Sequence, residues 1–418
     1  MTRRIALLLL ALAVPACERV DRLMDPAGYD LRRARAFYAA QPEYLRPIPA
    51  SPPPAGLQDL RASTCGACHR EIYEEWKIST HARAYLDDPQ FMAELAKSSK
   101  PELDVTWMCL NCHTPTESQL ERLVVSTNAG VEKPEYVRNP DFDPALRAEA
   151  ITCATCHVRD GKVLGPTGSA TAPHPVEKDE SLLRSDVCTR CHQAKAEFVH
   201  IALACVFDTG AEHAKGPDRD KTCQTCHMPE LERPMAPGSP PRKTRRHWLG
   251  GSLIPKTAQF EADMKLMRPH YPDGLVVTPT HPPTHARPGD ILDLSFDVEN
   301  RNAGHSLPTG DPERFFLVTL SARTGTTVVY ERTERIGALY QWSPVVKKLA
   351  DNRLAPRERR TIEATFAAPV APKVEITLRA TKHRISEDNL AYHALEGKSV
   401  DAITTFERAF DIVLDAQR

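Results

Sequence analysis

The motif Cys-x-x-Cys-His occurs five times in this chain of 418 residues: CGACH from Cys65, CLNCH from Cys109, CATCH from Cys153, CTRCH from Cys188 and CQTCH from Cys223. With 12 Cys and 16 His available, independent placement would give on the order of 0.01 copies, so the repetition governs everything else. The spacing lets two thiols add to the two vinyl groups of one haem, with the adjacent His beneath the iron. Two other uses of paired cysteines fit less well. Structural zinc does not need His directly after each pair, and five redox disulfides in succession would be unusual. The expectation is five covalent haems c. Cys65 and Cys68, Cys109 and Cys112, Cys153 and Cys156, Cys188 and Cys191, and Cys223 and Cys226 would hold them. His69, His113, His157, His192 and His227 would be the proximal ligands.

The remaining cysteines are Cys17 and Cys205. Cys205 reads as a small buried apolar residue. Cys17 closes an N-terminal pattern: Arg3-Arg4, the apolar run Ile5 to Val14, then Pro15-Ala16-Cys17. Such a basic start and short apolar run form an export signal, too short for a comfortable membrane span. The reading is a lipoprotein-type signal over 1–16, with Cys17 lipidated and the acyl chains anchoring the protein to a membrane. Glu18, not Asp, follows, which by analogy with lipoprotein sorting favours the outer membrane. Net charge is −1, so no global field selects a partner, and nothing points to nucleic acid. Arg242, Lys243, Arg245 and Arg246 form a basic cluster. It reads as a solvated loop, as counter-ions for haem propionates, or as a docking patch for an acidic redox partner.

Residues 17–56 read as a helix over about Gly28 to Ala40 followed by a stiff Pro-rich tether. The haem region, 57–265, has first cysteines 44, 44, 35 and 35 residues apart. That regularity suggests repeated packing units. Short helices, long loops and little sheet are expected there, around porphyrins that form much of the core. Composition shifts near Arg268. Alternating runs follow at Ile291 to Val298, Arg314 to Ser321, Thr326 to Glu331, Arg360 to Phe366, Val374 to Ala380 and Thr405 to Val413. They predict an antiparallel β-sandwich of about seven strands over 266–418. The fold class is therefore α+β.

A low-spin haem needs a sixth ligand, and eleven His remain after the proximal five are assigned. Six are distal candidates: His81, His174, His247, His305, His200 and His213. His81 lies 12 residues after His69, which on one continuous helix would be about 18 Å along the axis. It should then cap a neighbouring haem. His200, eight residues after His192, would lie about 12 Å away by the same rule. His270, His281, His285, His383 and His393 read as surface or propionate-binding residues.

Several stretches resemble the cytochrome c-554 type of multihaem cytochrome. They are CGACHREIYEEWKISTHARA from Cys65, with Trp76, Ser79 and His81 in a W-x-x-S-x-H element, CATCHVRDG from Cys153 and CQTCHMP from Cys223. RHWLGG from Arg246 and GHSLPTG from Gly304 recur in multihaem relatives. The resemblance covers roughly residues 60–255. It implies stacked haem pairs, mostly bis-His ligation, electron transfer, and His81 as an axial ligand. The chain departs from that type by carrying five motifs rather than four and by adding a β-rich region.

The functional expectation is an exported electron carrier working with redox partner proteins such as a quinol dehydrogenase or other cytochromes. The alternative is a multihaem oxidoreductase with one open haem acting on nitrite, hydroxylamine or a sulfur oxyanion. Pentahaem nitrite reductases match in haem number but usually carry Cys-x-x-Cys-Lys at the active haem, which is absent here. A third reading is a docking or assembly role for the sandwich.

Overall fold

In the computed structural model, residues 23–100, 102–198, 203–342 and 344–415 are described. The export signal, Cys17 and His200 lie outside them. The chain divides into two units. One holds the described residues through Tyr73 together with His81–Leu86 and Phe91–Leu182. The other holds Glu74–Thr80, Asp87–Gln90 and the chain from Leu183. The first three motifs thus belong to one unit, and the last two share the other with the β-sheets.

The first unit begins with α1, Pro26–Ala39, close to the expected bounds. Asp25 caps it by accepting from the Gly28 N–H at 3.0 Å, and Pro26 fits the first turn, where no N–H is needed. The helix buries Ala34 and Tyr38 beside Trp107, Leu120, Leu123 and Val124. Part of the stiff Pro-rich stretch packs on this unit rather than standing clear of it. Ile48 donates to Pro115 O at 2.7 Å and accepts from the Glu117 N–H at 2.7 Å. Asn111 donates to Leu45 O at 2.7 Å, so this stretch is fastened beside the second motif.

Short helices carry or flank the motifs: α2 (Ala62–Gly66) runs into the first, α3 (Arg70–Lys77) follows it, α4 (Thr106–His113), α5 (Cys153–His157), α6 (Asp186–His192) and α8 (Cys223–His227) hold the other four, and α7 (Thr209–Lys215) lies between the last two. The haem region carries more sheet than expected. Val158–Arg159 pairs with Lys162–Gly165, Ala194–Phe198 with Leu203–Phe207, and Glu230–Pro234 with Pro241–Arg245. Each hairpin starts within three residues of a motif His. A single helical turn leaves its last carbonyls unpaired, and residues such as Val158 and Pro229 favour extended backbone next.

Among the described residues, the second unit contains nine strands after residue 270. They are β1 (Leu275–Thr280), β2 (His285–Ala286), β3 (Ile291–Asn300), β4 (Phe315–Thr324), β5 (Thr327–Gln341), β6 (Lys347–Asp351), β7 (Arg359–Ala367), β8 (Lys373–His383) and β9 (Ala402–Leu414). All six expected runs are strands. One sheet has the order β1-β3-β7, the other β2-β9-β8-β4-β5-β6. Every pair is antiparallel except β2 with β9, which is parallel. Strict alternation puts Leu292, Leu294, Phe296 and Val298 of β3 into the same core as Phe316, Val318 and Leu320 of β4 and Val374, Ile376 and Leu378 of β8. Burying each such side chain contributes roughly 1.5–3 kcal/mol. Gly325, at φ 55°, turns the chain from β4 into β5 where a Cβ would be strained.

Candidate haem sites

The motif spacing and the one-turn helix explain each other. Residues three and four apart share a helix face, so positions one, four and five of the motif face the same way. At the first motif the His69 N–H donates to Cys65 O at 2.9 Å, closing this turn. Cysteine pairs also meet between motifs. The thiols of Cys65 and Cys153 share a hydrogen bond, as do those of Cys188 and Cys223. First and third motifs are therefore neighbours in one unit, and fourth and fifth in the other.

Backbone carbonyls fix several imidazoles. Nδ1 of His157 donates to Leu164 O at 2.9 Å, and that of His113 to Ala84 O. His305 donates to Ser306 O and His247 to Arg245 O, each at 2.9 Å. A ring donating from Nδ1 carries its lone pair on Nε2, the tautomer a metal takes. Burial keeps His157 and His305 below the usual imidazole range. Burial also holds His192 at about 4, aided by the charge of Arg314 and by His305. His227 is likewise held at about 4 by burial, with His305, His192 and His213 adding repulsion. Neutral imidazole is the ligating form.

Two distal candidates stand opposite proximal ones. The rings of His69 and His174 have centroids 6.4 Å apart, and those of His227 and His305 are 6.3 Å apart with planes 9° from parallel. An iron bound by two imidazole nitrogens at about 2 Å, each roughly 1 Å from its ring centre, requires about 6 Å. The buried Nδ1 of His174 has no hydrogen-bond partner, which suits a nitrogen kept for a ligand. The residues present fit haem with bis-His ligation.

Long-range contacts position these histidines. His174 precedes Pro175, whose carbonyl accepts from the Val163 N–H at 2.9 Å, just past the third motif. His305 sits in the loop between β3 and β4. Buried Asn300 donates to His305 O at 2.9 Å and Leu354 O at 3.1 Å. The same loop is clamped to α7: Thr309 donates to Glu212 at 2.7 Å, and Arg353 pairs with Glu212 at 2.6 Å. The loop between β3 and β4 thus brings His305 beside His227 of the fifth motif.

Other assignments need correction. Helix α3 stops at Lys77, because Ile78, Ser79 and Thr80 are poor helix formers. The 18 Å axial estimate for His81 therefore does not apply. His81 instead accepts at its carbonyl from the Ile151 N–H at 3.3 Å, two residues before the third motif. For His200 the helical rule fails too, since α6 ends at His192 and a strand begins at Ala194. His213 lies on α7, near His227 and His305. The basic cluster is strand rather than loop: Arg242, Lys243 and Arg245 lie on Pro241–Arg245, with Arg242 and Lys243 exposed. Arg245 donates to Gln224 O and Met228 O, each at 3.1 Å. Sequence reading missed Glu75, which is 5 % exposed and binds Arg233, Arg246 and the His247 N–H. Its one signal is a carboxylate one helical turn past Glu71 and beside Trp76 on the face that α3 buries.

Covalent haem motifs on one-turn helices, with opposed imidazoles at iron-spanning distance, define a multihaem c-type cytochrome that transfers electrons. The family model of cytochrome c554 and c-prime matches residues 64–158. The fold is similar to that of a penta-heme cytochrome c552 from Thermochromatium tepidum. That match has TM-score 0.59 and 18% identity, and covers 86% of this chain and 100% of the other. A CARDB domain from Pyrococcus furiosus aligns over 34% of this chain and 87% of its own, at 15% identity and TM-score 0.20. No curated protein matches the sequence.

Proposed function

We propose that this chain is an exported carrier passing electrons along five covalently held haems c. The donor would be a membrane or periplasmic protein such as a quinol dehydrogenase, and the acceptor a terminal oxidant or another cytochrome. Bound haem supplies the one-electron chemistry. The chain's own residues hold each iron, fix its ligands and set its surroundings. The observation that carries this reading is the spacing of His69 from His174 and of His227 from His305. Two strong-field ligands per iron leave no position for a substrate, as a carrier requires. The adjacent first cysteines of motifs one and three, and of four and five, support close haem pairs. Lipidation at Cys17 would anchor the protein on the periplasmic side of the outer membrane or at the cell surface. Among the described residues no helix is long and apolar enough to cross a membrane.

The test is electron paramagnetic resonance with near-infrared magnetic circular dichroism on the oxidised protein, after intact mass has shown five haem additions. The expected result is low-spin bis-His signatures throughout. A high-spin haem that shifts on adding nitrite or hydroxylamine would replace this reading with the open-haem oxidoreductase.

A further inference from the structure

His247 is held at two points. Its Nδ1 donates to Arg245 O at 2.9 Å, and its backbone N–H donates to Glu75 Oε2 at 2.9 Å. Glu75 is buried, and its carboxylate is saturated. Arg233 approaches it with both guanidinium nitrogens, at 2.7 and 3.0 Å, and Arg246 donates to Oε1. Burial alone would raise its pKa, but Arg233, the His247 amide and Arg246 together bring it below the usual carboxylate range. The group is therefore a carboxylate at neutral pH.

Arg233 is itself fixed on the hairpin after the fifth motif. It donates to Thr244 Oγ1 at 3.1 Å and to Arg245 O at 3.0 Å. Arg246 in turn lies over the Trp248 ring, 4.6 Å from its centroid, and Trp248 is buried against Met264 and Met267. One carboxylate from the helix after the first motif thus gathers the whole strand end that presents His247. A surface ion pair would not need this arrangement. Burying a charge is costly unless every lone pair is used, and here one of them is spent on the amide of a histidine.

We propose that Glu75 is a positioning residue that sets the direction of the His247 imidazole as an axial haem ligand, so that the haem it caps stays low-spin. The inference rests on the reading of His247 as a distal ligand. Holding a ligand by its main chain and by its second ring nitrogen removes both the swing of the loop and the rotation of the ring. The ligand then loses little further freedom on binding iron.

Four variants of the holoprotein separate the possibilities: His247→Ala, Glu75→Leu, Glu75→Gln and Arg233→Met. The readouts are the low-temperature electron paramagnetic resonance spectrum and a potentiometric titration of the haems. His247→Ala is expected to turn one haem of the set high-spin. Glu75→Leu should perturb that same haem, with loss of its low-spin signal or a shifted g-value and midpoint potential. Glu75→Gln keeps an oxygen that can accept from the His247 N–H and should restore most of the wild-type signature. Arg233→Met removes one partner of Glu75 and one donor to Arg245 O but leaves Glu75 on the His247 N–H, and should shift that haem's spectrum less than Glu75→Leu does. If His247→Ala leaves every haem low-spin, the ligand reading fails and takes this inference with it. If His247→Ala acts but Glu75→Leu leaves the haem unchanged, only the positioning role is overturned. Equal spectral damage from Arg233→Met and Glu75→Leu would also overturn it. Should Glu75→Leu not mature, Glu75→Gln decides: an unshifted spectrum together with a shifted one in Glu75→Asp supports the role, and two unshifted spectra refute it.

Discussion

Asn300→Leu tests whether the sheet holds His305 in place as the proposed distal ligand at the fifth motif. Asn300 is completely buried at the end of β3. Its Nδ2 donates to His305 O at 2.9 Å and Leu354 O at 3.1 Å, and its Oδ1 accepts from the Ala303 N–H at 3.3 Å. Leucine is close in volume, so little cavity forms, but all three bonds go. Leu354 O keeps the Leu307 N–H at 2.9 Å, which leaves His305 O as the main orphan. Each of the three lost neutral bonds costs about 1 kcal/mol and the buried unpaired group about 1–3 kcal/mol, for a total of roughly 4–6 kcal/mol. Against a typical stability of about 5–15 kcal/mol, that is readily measured by denaturant unfolding. Part of this energy holds the loop that carries His305. If about 2 kcal/mol of it does so, the population with the loop released rises about 30-fold. Binding of cyanide or carbon monoxide must wait for His305 to leave, so its rate at one haem should rise by a similar factor. A rate within twofold of wild type, with the expected loss of stability, would refute the claim that this loop positions the ligand. An unchanged unfolding midpoint would refute the hydrogen-bond accounting itself.

Phe296→Ala removes a ring that is 1% exposed between the two sheets and should cost about 3–5 kcal/mol; a loss under 1 kcal/mol in chemical unfolding would contradict face-to-face sheet packing. Asp351, on the edge strand β6, illustrates acid sensitivity. Burial would raise its pKa, but hydrogen bonds and charge from Arg353, with Lys348, bring it down to about 2. A carboxylate depressed in the folded state gives stability that is present above its unfolded pKa, near 4, and lost as pH falls toward 2. Wild type should therefore lose more stability than Asp351→Asn between pH 4 and pH 2, and parallel pH profiles from denaturant titrations would rule this out.

The parts of this protein written locally were legible from the chain alone. The five motifs, each with two cysteines and a histidine, stand in the chain itself, and their spacing makes geometric sense within one helical turn. Helix α1 is announced by Asp25 and Pro26, and the six expected strands by period-two alternation that needs no knowledge of the partner strand. His81 and His200 show where local reasoning stops: a helix was extended through Ile78–Thr80 and past His192, and in both places the chain breaks instead. The histidine pairs are remote in sequence, since His174 meets His69 across 105 positions and His305 meets His227 across 78. No periodicity links such residues. Only folding brings them together, because loops tied to Val163 and Asn300 are set by hydrogen bonds formed once the hairpins and sheets exist. The same holds for Glu75. Its ionised, buried state requires two arginines and an amide from more than 150 residues away, and a carboxylate's environment is a property of the tertiary structure, not of its neighbours in the chain.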